Sequence, residues 1–291
     1  MNCYEQLDLL RDYVYEAVAS HFTDLNLLRR LNVAQRTLAL RIAMTAGDWL
    51  VKKSVSITPV DSIVTLPTDC SKPIYMEEVT SGYPIGWLAG GVSVRRGSRG
   101  VGTSLNIGGG GAYTLADTIE VNQDSFVTPI YLWYQKRVPD LHCGFAVAGE
   151  ASSLTLDTST ATGTTDLATG RAIKFVDDYY NGSMVEIYNG TGIIDIRSEI
   201  SDFVASTGKI TITGTPAADD QYGTVSQLPE ELHMLMVLEA AVISLMKPSA
   251  KLDPTSLKAY IDERKDLREE AYAWLDTRVV GAGRAIIGEP Y

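Results

Sequence analysis

The amino-acid sequence predicts an α+β protein: a discontinuous helical bundle core with a small β-hairpin element, plus an inserted all-β sandwich or barrel domain. Three observations carry that expectation. Apolar residues recur at three- and four-residue steps near both ends of the chain, the period of an amphipathic helix. Between them, residues 142–222 alternate apolar and polar side chains and are punctuated by Asn-Gly and Thr-Gly dipeptides, the pattern of many short strands. A glycine-rich stretch over 81–123 separates that insert from the first helices. The expected domains are therefore 1–141 with 223–291 as the helical core, 142–222 as the inserted β domain, and 279–291 as an extended C-terminal docking tail.

The first helix is read from Tyr4, Leu7, Leu10, Val14 and Val18, with Arg11, Asp12 and Glu16 between them. His21-Phe22-Thr23-Asp24 breaks it and places Thr23 or Asp24 to cap a second helix. That helix carries Leu27, Leu31, Leu38, Ile42 and Trp49, interleaved with Arg29, Arg30, Arg36 and Arg41. Val55, Ile57, Ile63 and Leu66 then read as two short strands of a hairpin, with Pro59-Val60-Asp61-Ser62 as the turn. The segment 81–123 reads as a long loop with short strands, and Gly108-Gly109-Gly110-Gly111 as a mobile hairpin tip. The run Pro129-Ile130-Tyr131-Leu132-Trp133-Tyr134-Gln135-Lys136-Arg137 is a strand.

In the insert, Leu154, Leu156, Ile173, Phe175, Val185, Ile187, Ile194, Ile196, Ile210 and Ile212 alternate with polar residues. Asn181-Gly182, Asn189-Gly190 and Thr207-Gly208 supply the turns, the first with the positive φ angles of a tight hairpin. Leu228-Pro229-Glu230-Glu231 starts a helix, with proline in the first turn and acids at the positive end of the dipole. From Leu232 to Met246 that helix is apolar almost all round, which marks it as buried. A last helix runs from Asp253-Pro254 to about Arg278, with Leu257, Ile261, Ala271, Trp274 and Leu275 inward. The glycine-interrupted end, 279–291, is not expected to be helical.

The net charge is −11, and it is concentrated in the insert. Residues 142–222 carry four basic against eleven acidic side chains, a local charge of −7. Tight, sequence-reading nucleic-acid binding needs clustered cations, so this balance argues against it while allowing DNA to slide past without sticking. Cys3, Cys70 and Cys143 are widely spaced and form no CxxC pair, which fits a reducing cytoplasm and neither a disulfide scaffold nor a zinc site. No signal peptide is expected at the N-terminus, and the apolar run 234–246, interrupted by Glu239, is too short to cross a bilayer, so no membrane is expected as a partner.

No set of residues points to catalysis, to a metal or to a cofactor. His21, His142 and His233 are isolated and stand in different segments, with no nucleophile-elbow signature. Asp177, Asp178, Asp195 and Asp202 lack the alternating spacing of a calcium loop. The four-glycine run lacks the lysine and hydroxyl ending of a phosphate loop. The one basic cluster is Arg95, Arg96 and Arg99, a candidate for contact with DNA phosphate or with an acidic partner surface. The apolar tail, with Val279, Val280, Arg284, Ile286, Ile287 and the aromatic Tyr291, is a candidate docking segment, since strand addition to a neighbour is a common use for such a stretch.

Taken in order, the helix pair, the hairpin ending Leu66-Pro67-Thr68-Asp69, the glycine-rich loop, the aromatic strand and the Leu228-Pro229-Glu230-Glu231 helix start resemble the bacteriophage head-to-tail adaptor (connector, or head completion) family. The insert, with Asp177-Asp178-Tyr179-Tyr180-Asn181-Gly182, Gly190-Thr191-Gly192 and Ile200-Ser201-Asp202-Phe203, resembles a β module of phage virion proteins. The resemblance implies a non-enzymatic structural protein of the virion, assembled in the bacterial cytoplasm as a dodecameric ring at the head–tail interface. Its partners would be further copies of itself, the portal protein, and tail, nozzle or tail-terminator proteins, with double-stranded DNA passing non-specifically. The tail residues would dock on the portal. The alternative reading is a glycan- or receptor-binding neck or fibre protein that uses the β insert.

Overall fold

The computed structural model describes residues 1–14, 22–45, 47–87, 112–115, 118–121, 126–157, 176–188, 192–246 and 254–281. The chain forms two units, Gly47–Arg137 and Met1–Ala46 with Val138–Tyr291.

The Gly47–Arg137 unit is built of antiparallel strands: β1 (Val51–Lys53), β2 (Ile63–Thr65), β3 (Cys70–Glu78), β4 (Pro84–Ile85), β5 (Ala112–Leu115), β6 (Thr118–Val121) and β7 (Ile130–Lys136). One sheet has the order β1-β7-β3-β4 and the other β2-β6-β5. β7 shows why an alternating strand holds a core. Ile130, Leu132 and Tyr134 are buried on one face, while Tyr131 and Trp133 stand half-buried on the other, beneath the Lys53 ammonium 3.8 Å from the Tyr131 ring. Val64, Met76, Ile119, Val121 and Phe126 complete the core. The buried end of Tyr134 donates to Asp69 Oδ1 at 2.6 Å, and Lys52 pairs with the same carboxylate. The turn before β2 is tight: Asp61 and Ser62 both have positive φ, and Val60 and Ile63 exchange both backbone hydrogen bonds.

The other unit contains β8 (Cys143–Phe145), β9 (Ala148–Glu150), β10 (Ser153–Thr155), β11 (Met184–Tyr188), β12 (Ile194–Glu199), β13 (Asp202–Val204), β14 (Lys209–Thr211) and β15 (Gln221–Val225). They form two four-stranded sheets, β12-β11-β15-β8 and β13-β14-β10-β9, whose facing residues Val185, Ile187, Tyr222, Leu154, Phe203 and Ile210 share one core. The same unit holds α1 (Cys3–Tyr13), α2 (Asp24–Thr45), α3 (His233–Leu245) and α4 (Pro254–Gly281). α1 packs on β15 and β8, and its cap residue Asn2 bridges to Val225. An Asn2–Glu5 capping box closes its first turn. α3, apolar all round, packs against the other three helices. Its one acid, the buried Glu239, is held by Arg268 and Arg264 of α4. No helix among the described residues is long and apolar enough to cross a membrane.

Four sequence expectations are corrected. The protein is mostly β, with four antiparallel sheets and four α-helices among the described residues, and has no helical bundle core with a minor β element. Five of the seven strands of 47–137 have four residues or fewer, and β3, the longest, is irregular, with two register shifts against β7, so they leave little periodic signal. The hairpin expected over 55–66 keeps its turn, where Val60 and Ile63 pair, but not its strand pairing: Ile57 bridges to Ile130, and β2 pairs with β6. Residues 142–222 do not stand apart: they belong to the same unit as the helices, because α1 covers the outer face of β15 and β8. Finally, α4 continues through Gly281, so Val279 and Val280 are helical where an extended tail was expected. One terminal glycine costs a helix only about 1 kcal/mol, too little to stop it there.

Candidate assembly surface

α2 buries most of its circumference. Leu27, Leu28, Leu31, Ala34, Leu38 and Ile42 face the core. Three polar rungs then strap the chain entering the sandwich to this helix. Asn32 exchanges hydrogen bonds with the Leu141 backbone (3.2 and 2.6 Å), Gln35 Nε2 donates to Pro139 O (2.7 Å), and Arg36 grips Asp140 with two nitrogens (2.6–2.9 Å).

What remains is a single outer stripe at helical spacing: Arg29, Val33, Arg36, Thr37, Leu40, Arg41 and Met44. Val33 is 47% exposed, Leu40 65% and Met44 78%, and no acid interrupts them. Arg41 donates to the Tyr272 hydroxyl of α4 at 3.0 Å. The outward positions of α4 differ in sign: Asp262, Glu263, Asp266, Glu269 and Glu270 stand against Lys258 and Lys265. One unit thus presents an apolar face edged with arginines and an acidic face. Exposed aliphatic side chains aligned this way are the kind of surface that a partner covers. The sequence reading set Arg29, Arg30, Arg36 and Arg41 between the core positions of α2, where the structure buries Arg30, and it missed the apolar stripe. The signal was present in Val33, Leu40 and Met44, which fall off the core-facing period.

The polar residues of the 177–182 corner make hydrogen bonds within the fold. Ala205 N–H donates to Asp177 Oδ1 (2.8 Å), Asp178 takes positive φ, and Asn181 Nδ2 donates to Asp178 Oδ1 (2.8 Å). The Tyr179 hydroxyl accepts from the Asp140 N–H, and Tyr180 is fully buried edge-on to Phe203 with ring centroids 4.9 Å apart. Gly182, at φ +76°, donates from its backbone to Ile200 O. The segment is thus a two-turn corner pinned to the β12–β13 connection. The expected two-residue hairpin at Asn181-Gly182 does not form, because only the glycine has positive φ.

His142 is sealed between Tyr222, which stacks on it and hydrogen-bonds Nδ1 at 2.9 Å, and Tyr180. Burial pushes its pKa down to about 4. His233, pushed down by burial, lies 3.2 Å from Leu228 O through Nε2 and 3.4 Å from the N-terminal nitrogen through Nδ1. Among the described residues no three His, Cys, Asp or Glu side chains gather as a metal site. Val279 and Val280 lie in the last turns of α4, whereas Arg95, Arg96, Arg99, Arg284, Ile286, Ile287, Tyr291, His21 and the four-glycine run lie outside the described residues. No protein-family model matches this chain, and no curated protein matches it.

Proposed function

We propose that this chain is a structural virion protein that assembles as a ring between portal and tail and extends the channel through which DNA passes. The observation that supports it best is the outer stripe of α2. Val33, Leu40 and Met44 have nothing to do inside the subunit, and the acidic outer side of α4 complements the arginines beside them. Covering three such side chains contributes about 4–9 kcal/mol gross per contact before ordering costs. A face that meets a different face on the next copy generates a ring when the rotation closes. The acidic balance of the chain suits a conduit that must not hold DNA, and the resemblance to head-to-tail adaptors supplies the partners. In this reading Arg95, Arg96 and Arg99 face DNA or an acidic partner, and the C-terminal residues from Val279 to Tyr291 dock on the portal.

The testing experiment mixes the purified chain with portal rings and images the product by electron microscopy. A ring of this chain seated coaxially on the portal is expected. A chain that ignores the portal, and instead forms a stable trimer that binds glycan, would replace this reading with that of a receptor-binding virion protein.

A further inference from the structure

Two of the three cysteines meet. Cys3, in the first turn of α1, and Cys143, at the start of β8, are 140 positions apart in sequence, yet their sulfurs lie 3.3 Å from one another. Both are fully buried, and both are free thiols. The surroundings fix this approach. Asn2 bridges to Val225 of β15, and β15 pairs Gly223 with Cys143, so the N-terminus lies directly over the strand pair that carries the second thiol. A β-carbon on Gly223 would stand 3.1 Å from both Asn2 Oδ1 and the Tyr4 backbone nitrogen, so a glycine there is what lets the N-terminal turn come so near.

We infer that Cys3 and Cys143 are a cross-linking site: under a disulfide oxidant they form an intramolecular disulfide that staples α1 to the β sandwich. The sulfurs need to close by only about 1.3 Å to reach bonding distance, a shift within the reach of side-chain rotation. With glutathione disulfide as oxidant, one thiol loses its proton and its thiolate attacks a glutathione sulfur, releasing one glutathione thiolate. The second protein thiolate then attacks the mixed disulfide and expels the other. Two electrons pass from the protein pair to the oxidant, and two glutathione molecules leave, each taking up one proton. Burial raises the Cys3 thiol well above its ordinary pKa, so attack waits for the first turn of α1 to open. The reduced pair is therefore inert in a reducing compartment and reacts slowly in an oxidising one. The cross-link bridges a long loop and ties down the end of the chain that covers β15 and β8, so it stabilises the folded state mainly by restricting the unfolded one.

The experiment incubates the wild-type protein with glutathione disulfide, blocks free thiols in denaturant, and maps peptides without reductant. Expected are an intact mass lower by the two hydrogens lost, a peptide linking Cys3 to Cys143, Cys70 still blocked as a free thiol, and a melting temperature about 5–10 °C above that of the reduced protein. Repeating it with Cys70→Ser should take the free-thiol number from two to none. Retention of both thiols after prolonged oxidation, or a cross-link through Cys70 or between chains, would overturn the inference.

Discussion

The corner at 177–182 and the outer stripe of α2 use their side chains in opposite ways. At the corner, Asp177, Asp178, Tyr179, Tyr180 and Asn181 look like a site in the sequence, with acids and aromatics packed around a glycine, and each is consumed by the fold. On α2, Val33, Leu40 and Met44 look unremarkable in the sequence, and the subunit leaves them in water. Residues that the fold explains need no partner to account for them. Those it leaves unexplained, with apolar area exposed in a line, are the candidates for recognition. If the proposed function holds, substitutions at the corner should change stability, and substitutions on the stripe should change assembly.

The sharpest contrast is at Phe203, which is fully buried against Tyr180. Phe203→Ala should cost about 3–5 kcal/mol by leaving a cavity in the sandwich core. Denaturant melts would read it, and a loss below about 1 kcal/mol would show that the corner is not packed as described.

Acid should act through the same core. His142 titrates at about 4 when folded, against about 6.5 when unfolded, so the unfolded chain takes up the proton first as the pH falls. The contribution of this residue is complete above pH 6.5 and declines between 6.5 and 4, by about 3 kcal/mol at the lower end. His142→Phe should flatten that part of the stability profile, and an unchanged slope would mean that the ring is solvated.

Gly182→Val probes the backbone. There is room for a β-carbon, which would meet only Glu199 Oε1, at 3.8 Å, but φ is +76°. The strain should cost about 1–2 kcal/mol, and equal melts of variant and wild type would remove the positive-φ turn from the corner.

Individual elements were legible in the sequence, but the fold class, expected as a helical bundle core, was not, and the failures have physical causes. β7, the start of α3 after Leu228-Pro229 and the alternating strands of the sandwich follow from periods of 2 and 3.6 that their burial demands. The pairing of β1 with β7 and of β2 with β6 was not legible, because short strands do not encode which partner they meet. Neither was the meeting of Cys3 with Cys143, which only the docking of α1 on the β12-β11-β15-β8 sheet produces. The α2 stripe was legible in principle. Amphipathic analysis reads the face that is buried, and treats apolar residues off that face as noise.

The smallest expected effect on stability accompanies the largest on assembly. Leu40→Asp with Met44→Asp replaces two exposed aliphatic side chains with charge, so the fold should lose no more than about 0.5 kcal/mol. The most direct measurement is analytical ultracentrifugation of wild type and double variant side by side, alone and with portal rings. The wild type should self-associate into ring-sized species, on the portal or at high concentration, and the variant should stay monomeric with an unchanged melting temperature. A variant that assembles as well as the wild type would contradict the claim that the outer face of α2 is where copies of this chain meet.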